Sequence, residues 1–123
     1  MAILTDRKRA EGLGSAKTGT MHHWHMMVTS VMLCGLVPLF IFTFGRALGM
    51  PHEAALAYFS RPFPAVVMAL TLLVGMIHFR GGVQVLIEDY VHGFARKAAL
   101  IAMICLAYTL AAVGLFAIAR IAL

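Results

Sequence analysis

Charged residues are scarce in this sequence. Asp, Glu, Lys and Arg make up only 12% of the 123 residues, whereas 62% are hydrophobic and the mean hydropathy is +0.90. An ordinary soluble domain is about a quarter charged and about half apolar. The composition therefore excludes an ordinary soluble domain and predicts a single domain, residues 1–123, that resides in a lipid bilayer.

Cysteine is also nearly absent, since Cys34 and Cys105 are the only two, and each lies inside an apolar block. This excludes a disulfide framework and a cysteine-rich zinc site, and favours a packing role for both thiols. The net charge is +5, but the Lys and Arg residues are scattered at the ends of apolar blocks. Because no basic face alternates with aromatic residues, nucleic-acid binding is excluded as well.

Three apolar blocks dominate what remains: "MMVTSVMLCGLVPLFIFTF" at 26–44, the stretch from 62 to 87, and "AALIAMICLAYTLAAVGLFAIA" at 98–119. Each is close to the roughly 20 residues that a helix needs to cross the hydrocarbon. A continuous helix is expected because lipid cannot satisfy open backbone groups. The blocks predict an all-α integral membrane fold with three transmembrane helices, at about 22–46, 62–90 and 96–121.

The basic residues predict how these helices are oriented. Six lie in the N-terminal segment and after the second helix, against three on the opposite side: Arg7, Lys8, Arg9, Lys17, Arg96 and Lys97 against Arg46, Arg61 and Arg120. We therefore expect residues 1–21 to be cytoplasmic and the C-terminus to be periplasmic, in a bacterial inner membrane.

Five of the six histidines lie near block ends, at positions 22, 23, 25, 52 and 92. The cluster "MHHWHMM" could bind a metal, although an interfacial anchor is the favoured interpretation. His78 alone is deep, about 21 Å along a helix that starts near Pro64. An ionisable group at mid-bilayer is expensive, which makes a functional role the default hypothesis.

Small residues share the helix face of His78. At about 100° per residue, one stripe contains the following positions: Thr71, Gly75, His78, Gly82, Val85 and Asp89. Such a recess would admit a flat macrocycle whose iron His78 binds, or the glycines could simply allow close helix packing, with His78 hydrogen-bonded to a neighbour. Because no other block has a histidine at this depth, a second haem ligand would have to come from another chain.

Asp89 and Tyr90 lie about 16 Å further along this helix, at the cytoplasmic edge of the bilayer. A tyrosine hydroxyl can donate to a quinone carbonyl while a neighbouring carboxylate orients it. Taken alone, these two residues are more simply interpreted as an aromatic-belt tyrosine beside a solvated acid. Arg80 could neutralise a haem propionate or extend towards the headgroups.

At these residues the chain resembles a known family, the small hydrophobic membrane-anchor subunit of succinate dehydrogenase, respiratory complex II. The resemblance rests on His78 followed after ten residues by "DYVHG", residues 89–93. "GLGSAKTGTMHHW", residues 12–24, resembles the alphaproteobacterial branch. With three spans of similar length, the resemblance covers nearly the whole chain.

The resemblance implies a role for each of these residues. In that family two different membrane-anchor subunits bind haem b between them with one histidine each, which implies His78 as an axial ligand to the haem iron. It also implies Tyr90 as hydrogen-bond donor to ubiquinone, with Asp89 supporting the tyrosine. The implied partners are the second membrane-anchor subunit, an iron–sulfur subunit and a flavoprotein subunit, so that the chain would be part of a larger heteromeric helix bundle beneath a soluble enzyme.

Succinate oxidation is not expected on this chain, which has no dinucleotide motif and no cysteines spaced for a cluster. We therefore expect an anchor that helps to pass electrons from succinate to quinone. Two alternatives stay open: the anchor of another haem-b membrane oxidoreductase, such as a fumarate reductase or a hydrogenase, and a cofactor-free structural membrane subunit.

The sequence departs from the family in the first helix. The family commonly has an arginine just before a Thr-Ala pair, whereas here Thr29 and Ser30 follow "HMMV" and Met27 takes the place of the arginine. The charge near the haem propionates would then come from His23, from His25, from Arg80 or from the partner. Of these, His25 and Arg80 are the predicted propionate contacts.

Overall fold

The computed structural model describes residues 5–14 and 18–123, and every regular element in that part of the chain is a helix. The elements are α1 (Asp6–Glu11), α2 (Thr18–Ala47), α3 (His52–Phe59), α4 (Pro62–Tyr90) and α5 (Gly93–Ala122). Three of them, α2, α4 and α5, are long and apolar enough to cross a membrane. The predicted all-α fold with three membrane spans is confirmed.

The structure differs from the sequence prediction mainly at the helix ends. α2 begins at Thr18 rather than near residue 22, and α5 begins at Gly93 rather than near 96. The short helices α1 and α3 were not expected. Lys17, one of the residues in the predicted topology, and positions 15–17 of the segment 12–24 lie outside the described residues.

Local chemistry explains the boundaries of α4. Its first turn contains Pro62 and Pro64, where a missing backbone N–H costs little because that group would have no helical partner. The helix ends at Tyr90, because the next residue, Val91, has an extended backbone, and Gly93 then turns the chain with a φ of +66°. Only a glycine adopts that φ without strain, so the connection between α4 and α5 stays very short.

The middle span, α4, carries the tertiary packing. α2 and α5 both pack extensively against α4, while α3 makes smaller contacts with α4 and α5. Two glycines permit the close approach: a Cβ at Gly81 would collide with Sδ of Met26 in α2, and a Cβ at Gly114 would collide with Leu72 in α4. The described part of the chain is therefore a row of three helices rather than a closed bundle.

The buried core is small, and it consists of Ala65, Val67, Val74, Ile87, Met103, Ala107 and Ala111 together with the polar residues Thr29 and Thr43. Large apolar side chains point outward instead, among them Phe42 and Phe116. In lipid this exposure carries no hydrophobic cost, because lipid tails are as apolar as the side chains. The outer faces of α2, α4 and α5 are accordingly suited to contact lipid or other membrane helices.

Candidate functional site

His78 lies on the side of α4 that meets α2. Its ring is half-buried, and its Nδ1 lies 2.9 Å from the hydroxyl oxygen of Thr29. The Thr29 hydroxyl also lies 2.9 Å from the carbonyl oxygen of His25 and 3.0 Å from that of Met26, within its own helix. The histidine thus has a hydrogen-bond partner inside this chain, as the packing alternative expected, although the sequence did not single out Thr29.

The other nitrogen of the ring is open. Among the described residues, the ring of His78 makes no second hydrogen bond, and the only buried side-chain nitrogen or oxygen without a partner is Nε2 of His22. Nε2 of His78 is therefore not fully buried within the described part of the chain. A neutral imidazole binds a metal through such an unprotonated nitrogen.

A cleft of about 290 Å³ lies between α2 and α4, next to His78. Its lining combines basic, polar and apolar residues, namely His22, His25, Met26, Thr29, Ile77, Arg80, Gly81 and Gln84. The four residues from α2 have the spacing i, i+3, i+4 and i+7, which places them on one helix face. His23 and Met27 do not line the cleft.

His25 and Arg80, the two predicted contacts to the haem propionates, both line this cleft. Nδ1 of His25 lies 2.7 Å from the carbonyl oxygen of Met21, to which it donates, so Nε2 is the nitrogen left for other contacts. One guanidinium nitrogen of Arg80 donates to the hydroxyl of Tyr108 in α5 at 2.7 Å. The guanidinium also lies 5.5 Å from the centre of that tyrosine ring.

Arg80 therefore has an unforeseen partner in the chain, in addition to the two roles weighed from the sequence. A guanidinium carries five N–H donors in a fixed fork. The hydrogen bond to Tyr108 occupies one of these donors. The remaining donors leave Arg80 able to bind an anionic group in the cleft. The structure also adds His22 to this group of residues, since its Nε2 is buried and has no partner among the described residues.

Gly75 and Gly82, which precede and follow His78 by about one turn, have little of this chain packed against their Cα atoms. A Cβ at Gly75 would meet nothing within 4 Å, and one at Gly82 would meet only Cε of Met26 at 3.9 Å. Within this chain, the helices approach closely at Gly81 and Gly114. They do not do so at Gly75 and Gly82. The predicted recess next to His78 is thus open at Gly75 and bordered by the Met26 side chain at Gly82.

Asp89 and Tyr90 are the last two residues of α4. Both side chains are exposed, and Tyr90 is 79% exposed. In the described part of the chain neither makes a side-chain hydrogen bond, whereas the preceding Glu88 accepts one from Gln84 at 3.0 Å. Both groups are therefore exposed in the structure, and no hydrogen bond joins them.

Comparison with known proteins identifies the family of the chain. A family model described as "Succinate dehydrogenase/Fumarate reductase transmembrane subunit" matches residues 2–116. The chain belongs to this family of transmembrane subunits. The resemblance stated from the sequence, to the hydrophobic membrane anchor of succinate dehydrogenase, is confirmed.

Individual relatives agree with the family. The chain is 48% identical, over all of its 123 residues and 95% of the relative, to a succinate dehydrogenase hydrophobic membrane anchor subunit from Paracoccus denitrificans. A similar anchor subunit from Rickettsia conorii is 34% identical over 68% of this chain and 67% of its own length. A third, from Reclinomonas americana, is 30% identical over 63% of this chain and 67% of its own length. No solved structure matches the chain significantly.

Proposed function

We propose that this chain is the small membrane anchor of a succinate:quinone oxidoreductase, in which it provides one axial ligand to haem b and part of the ubiquinone site. The observation that carries the proposal is the environment of His78. Its Nδ1 lies 2.9 Å from the Thr29 hydroxyl, while Nε2 has no hydrogen-bond partner among the described residues, and Gly75 and Gly82 lie about one turn to either side of it. An imidazole in this state is prepared for one metal bond.

The residues present fit a haem. A macrocycle needs an open metal-binding nitrogen and a surface without bulky side chains beside it, and His78 with the two glycines supplies both. It also needs cationic or hydrogen-bonding groups for its propionates, and these would be Arg80 and His25, with His22 as an addition from the structure. When bound, haem b supplies a one-electron redox centre in the middle of the membrane.

The second axial ligand would come from another subunit. Of the six histidines, the remaining five lie at 22, 23 and 25 near the start of α2, in α3 at 52, and next to α5 at 92. None is placed at the depth of His78. We therefore propose that the second membrane-anchor subunit faces the open side of α4 and contributes the second imidazole.

The quinone site would lie at the end of α4. The Tyr90 hydroxyl would donate a hydrogen bond to a carbonyl of ubiquinone, and Asp89 would orient the tyrosine and take part in proton delivery. The high exposure of Tyr90 supports this assignment, because a group that must meet a ligand and partner subunits cannot be buried within its own chain. The iron–sulfur subunit would cover this end and deliver the electrons.

The remaining parts of the proposal concern the whole complex. Succinate would be oxidised on the flavoprotein subunit, and this chain would hold the soluble subunits at the cytoplasmic face of the bacterial inner membrane, as part of respiration and the tricarboxylic acid cycle. Its N-terminus would be cytoplasmic and its C-terminus periplasmic, as the basic residues predict. The family also includes fumarate reductase anchors, but the full-length relative from Paracoccus denitrificans favours succinate oxidation.

A reduced-minus-oxidised optical spectrum of the complex, purified through a tag on this chain, tests the proposal. We expect a haem b signal in the wild type that His78→Ala abolishes or strongly shifts. His92→Ala is the matched control, because this exposed histidine lies outside the membrane span and should leave the signal unchanged. A wild-type complex without haem, or an unchanged signal in His78→Ala, would contradict the ligand assignment.

A further inference from the structure

We infer that Thr29 is a positioning residue for the haem ligand: its hydroxyl oxygen accepts the Nδ1 proton of His78 and thereby fixes both the tautomer and the ring orientation. This inference rests on the proposed role of His78. It adds a residue of α2 to the immediate surroundings of the iron ligand, where the other residues proposed here, Gly75 and Gly82, belong to α4. The sequence indicated no role for Thr29 beyond its place in the first span.

The Thr29 hydroxyl has one proton and two acceptor lone pairs. Its oxygen lies 2.9 Å from the carbonyl oxygen of His25, 3.0 Å from that of Met26 and 2.9 Å from Nδ1 of His78. Both carbonyl oxygens can only accept, so a hydroxyl proton directed into α2 lies within reach of either of them. In that arrangement Thr29 accepts from His78, and Nδ1 carries a proton.

That arrangement determines the state of the ligand. In a neutral imidazole one nitrogen is a donor and the other an acceptor. With the proton on Nδ1, the lone pair lies on Nε2, the nitrogen without a hydrogen-bond partner among the described residues. An acceptor on the far nitrogen of a metal-binding histidine also raises the basicity of the ligand and fixes its plane.

The acceptor is held rigidly enough to do this. Thr29 is only 9% exposed, and its hydroxyl is tied to the backbone of its own helix by the two carbonyl contacts. A β-branched side chain has few χ1 rotamers available in a helix. The hydroxyl lone pair is therefore aimed across the α2–α4 contact before any ligand binds.

The test compares two substitutions that differ in whether they keep the acceptor. Thr29→Val keeps the shape of the side chain and removes the hydroxyl, whereas Thr29→Ser keeps the hydroxyl. Ser30→Ala is the control, because Ser30 is exposed and its hydroxyl bonds only to the carbonyl oxygen of Met26. Three properties of the purified complex are measured: the haem midpoint potential, the highest g value of the low-spin electron paramagnetic resonance signal, and the retention of haem in competition with apomyoglobin.

For Thr29→Val we expect a more positive midpoint potential, because a less basic imidazole stabilises ferric iron less. We also expect a shifted or broadened g value, because the imidazole plane is no longer held, and a haem affinity lower by about tenfold. Thr29→Ser should restore all three towards the wild type, and Ser30→Ala should change none of them. Thr29→Ala, which also lacks the acceptor, should repeat the result of Thr29→Val and serves in its place if the valine variant does not assemble.

The result that would overturn the inference is a Thr29→Val or Thr29→Ala complex with the wild-type potential and g value. Equal changes in the alanine, valine and serine variants would also contradict it, since they would indicate packing rather than a hydrogen bond. Failure of the proposed function is distinguishable, because it appears as the absence of haem in the wild type or as its persistence in His78→Ala. The Thr29 assignment would then fall together with the ligand assignment.

Discussion

The middle and the end of α4 differ sharply although they belong to one helix. His78 in the middle is half-buried and bonded to Thr29 of the neighbouring span, whereas Tyr90, about three turns later, is 79% exposed and has no hydrogen-bond partner in the described chain. The first group is preorganised by this chain alone. The second depends on whatever covers the end of the helix. We expect substitutions at the two places to separate haem properties from quinone chemistry.

The largest effect on quinone chemistry is expected from Tyr90→Phe. It removes the proposed donor to the quinone carbonyl, and loss of such a group typically lowers a rate by about 10²-fold or more. The rate of succinate-dependent ubiquinone reduction should fall by about that factor while the haem spectrum stays unchanged. Tyr58→Phe in α3 is the control. A combined loss of haem and activity in Tyr90→Phe would contradict the separation of the two regions.

A smaller effect is expected from Asp89→Asn. If the carboxylate orients the Tyr90 hydroxyl, losing one hydrogen bond to a charged group costs about 1.5–3 kcal/mol, which corresponds to a fall in quinone reduction of roughly ten- to a hundredfold. Glu88→Gln is the matched control, because Glu88 is the neighbouring carboxylate and bonds to Gln84 instead. Equal losses in both variants would indicate a general effect of charge at this end of α4.

The middle of α4 can be tested without touching His78. Gly75→Leu adds bulk where this chain offers nothing within 4 Å, so insertion and folding of the chain should be unaffected. The leucine would instead fill the proposed recess, and overpacking costs about 1–3 kcal/mol. We expect haem occupancy at limiting haem to fall about tenfold. The control is Gly45→Leu, at an equally open glycine near the far end of α2, and it should keep full haem occupancy. Full haem occupancy in Gly75→Leu would mean that the macrocycle lies elsewhere.

The smallest effect is expected from Tyr108→Phe. This change keeps the ring beneath Arg80 and removes only the hydroxyl that accepts from the guanidinium at 2.7 Å. A hydrogen bond of this kind contributes about 1 kcal/mol net. Thermal unfolding of the purified complex, followed by circular dichroism, should show a small decrease in the melting temperature with haem and quinone reduction retained. An unchanged melting temperature would mean that the contact contributes nothing to stability.

The features that depend on position along the chain could be predicted from the sequence. Hydropathy and length locate the three spans, and the distance from Pro64 predicts that His78 lies near mid-bilayer. Depth also separates Asp89 and Tyr90 from the histidine. These are properties of single helices, so they need no knowledge of how one helix is rotated against another.

Helix rotation is what the sequence left undetermined. α2, α4 and α5 are apolar on all sides, because lipid replaces water as their environment, and so no apolar stripe marks the face that packs. Gly81 and Gly82 are adjacent, yet about 100° of rotation means that a Cβ would collide with Met26 at Gly81 and would only touch the end of that side chain at Gly82. The pairing of Thr29 with His78 depends on the same rotation.

The spacing of the cleft residues in α2 is a signal that the sequence does contain. His22, His25, Met26 and Thr29 have the spacing of a single helix face, and this spacing could have assigned His22 to the cleft rather than to the interface alone. The contact between Arg80 and Tyr108 had no comparable signal, because it joins two different spans.

The haem proposed for this membrane site needs two imidazoles, of which this chain would supply one. Near-infrared magnetic circular dichroism of the oxidised complex tests this claim most directly, because the charge-transfer band identifies the pair of axial ligands. We predict a bis-imidazole band in the wild type and a histidine–methionine band, or loss of the low-spin haem, in His78→Met. A bis-imidazole band that survives in His78→Met would contradict the claim.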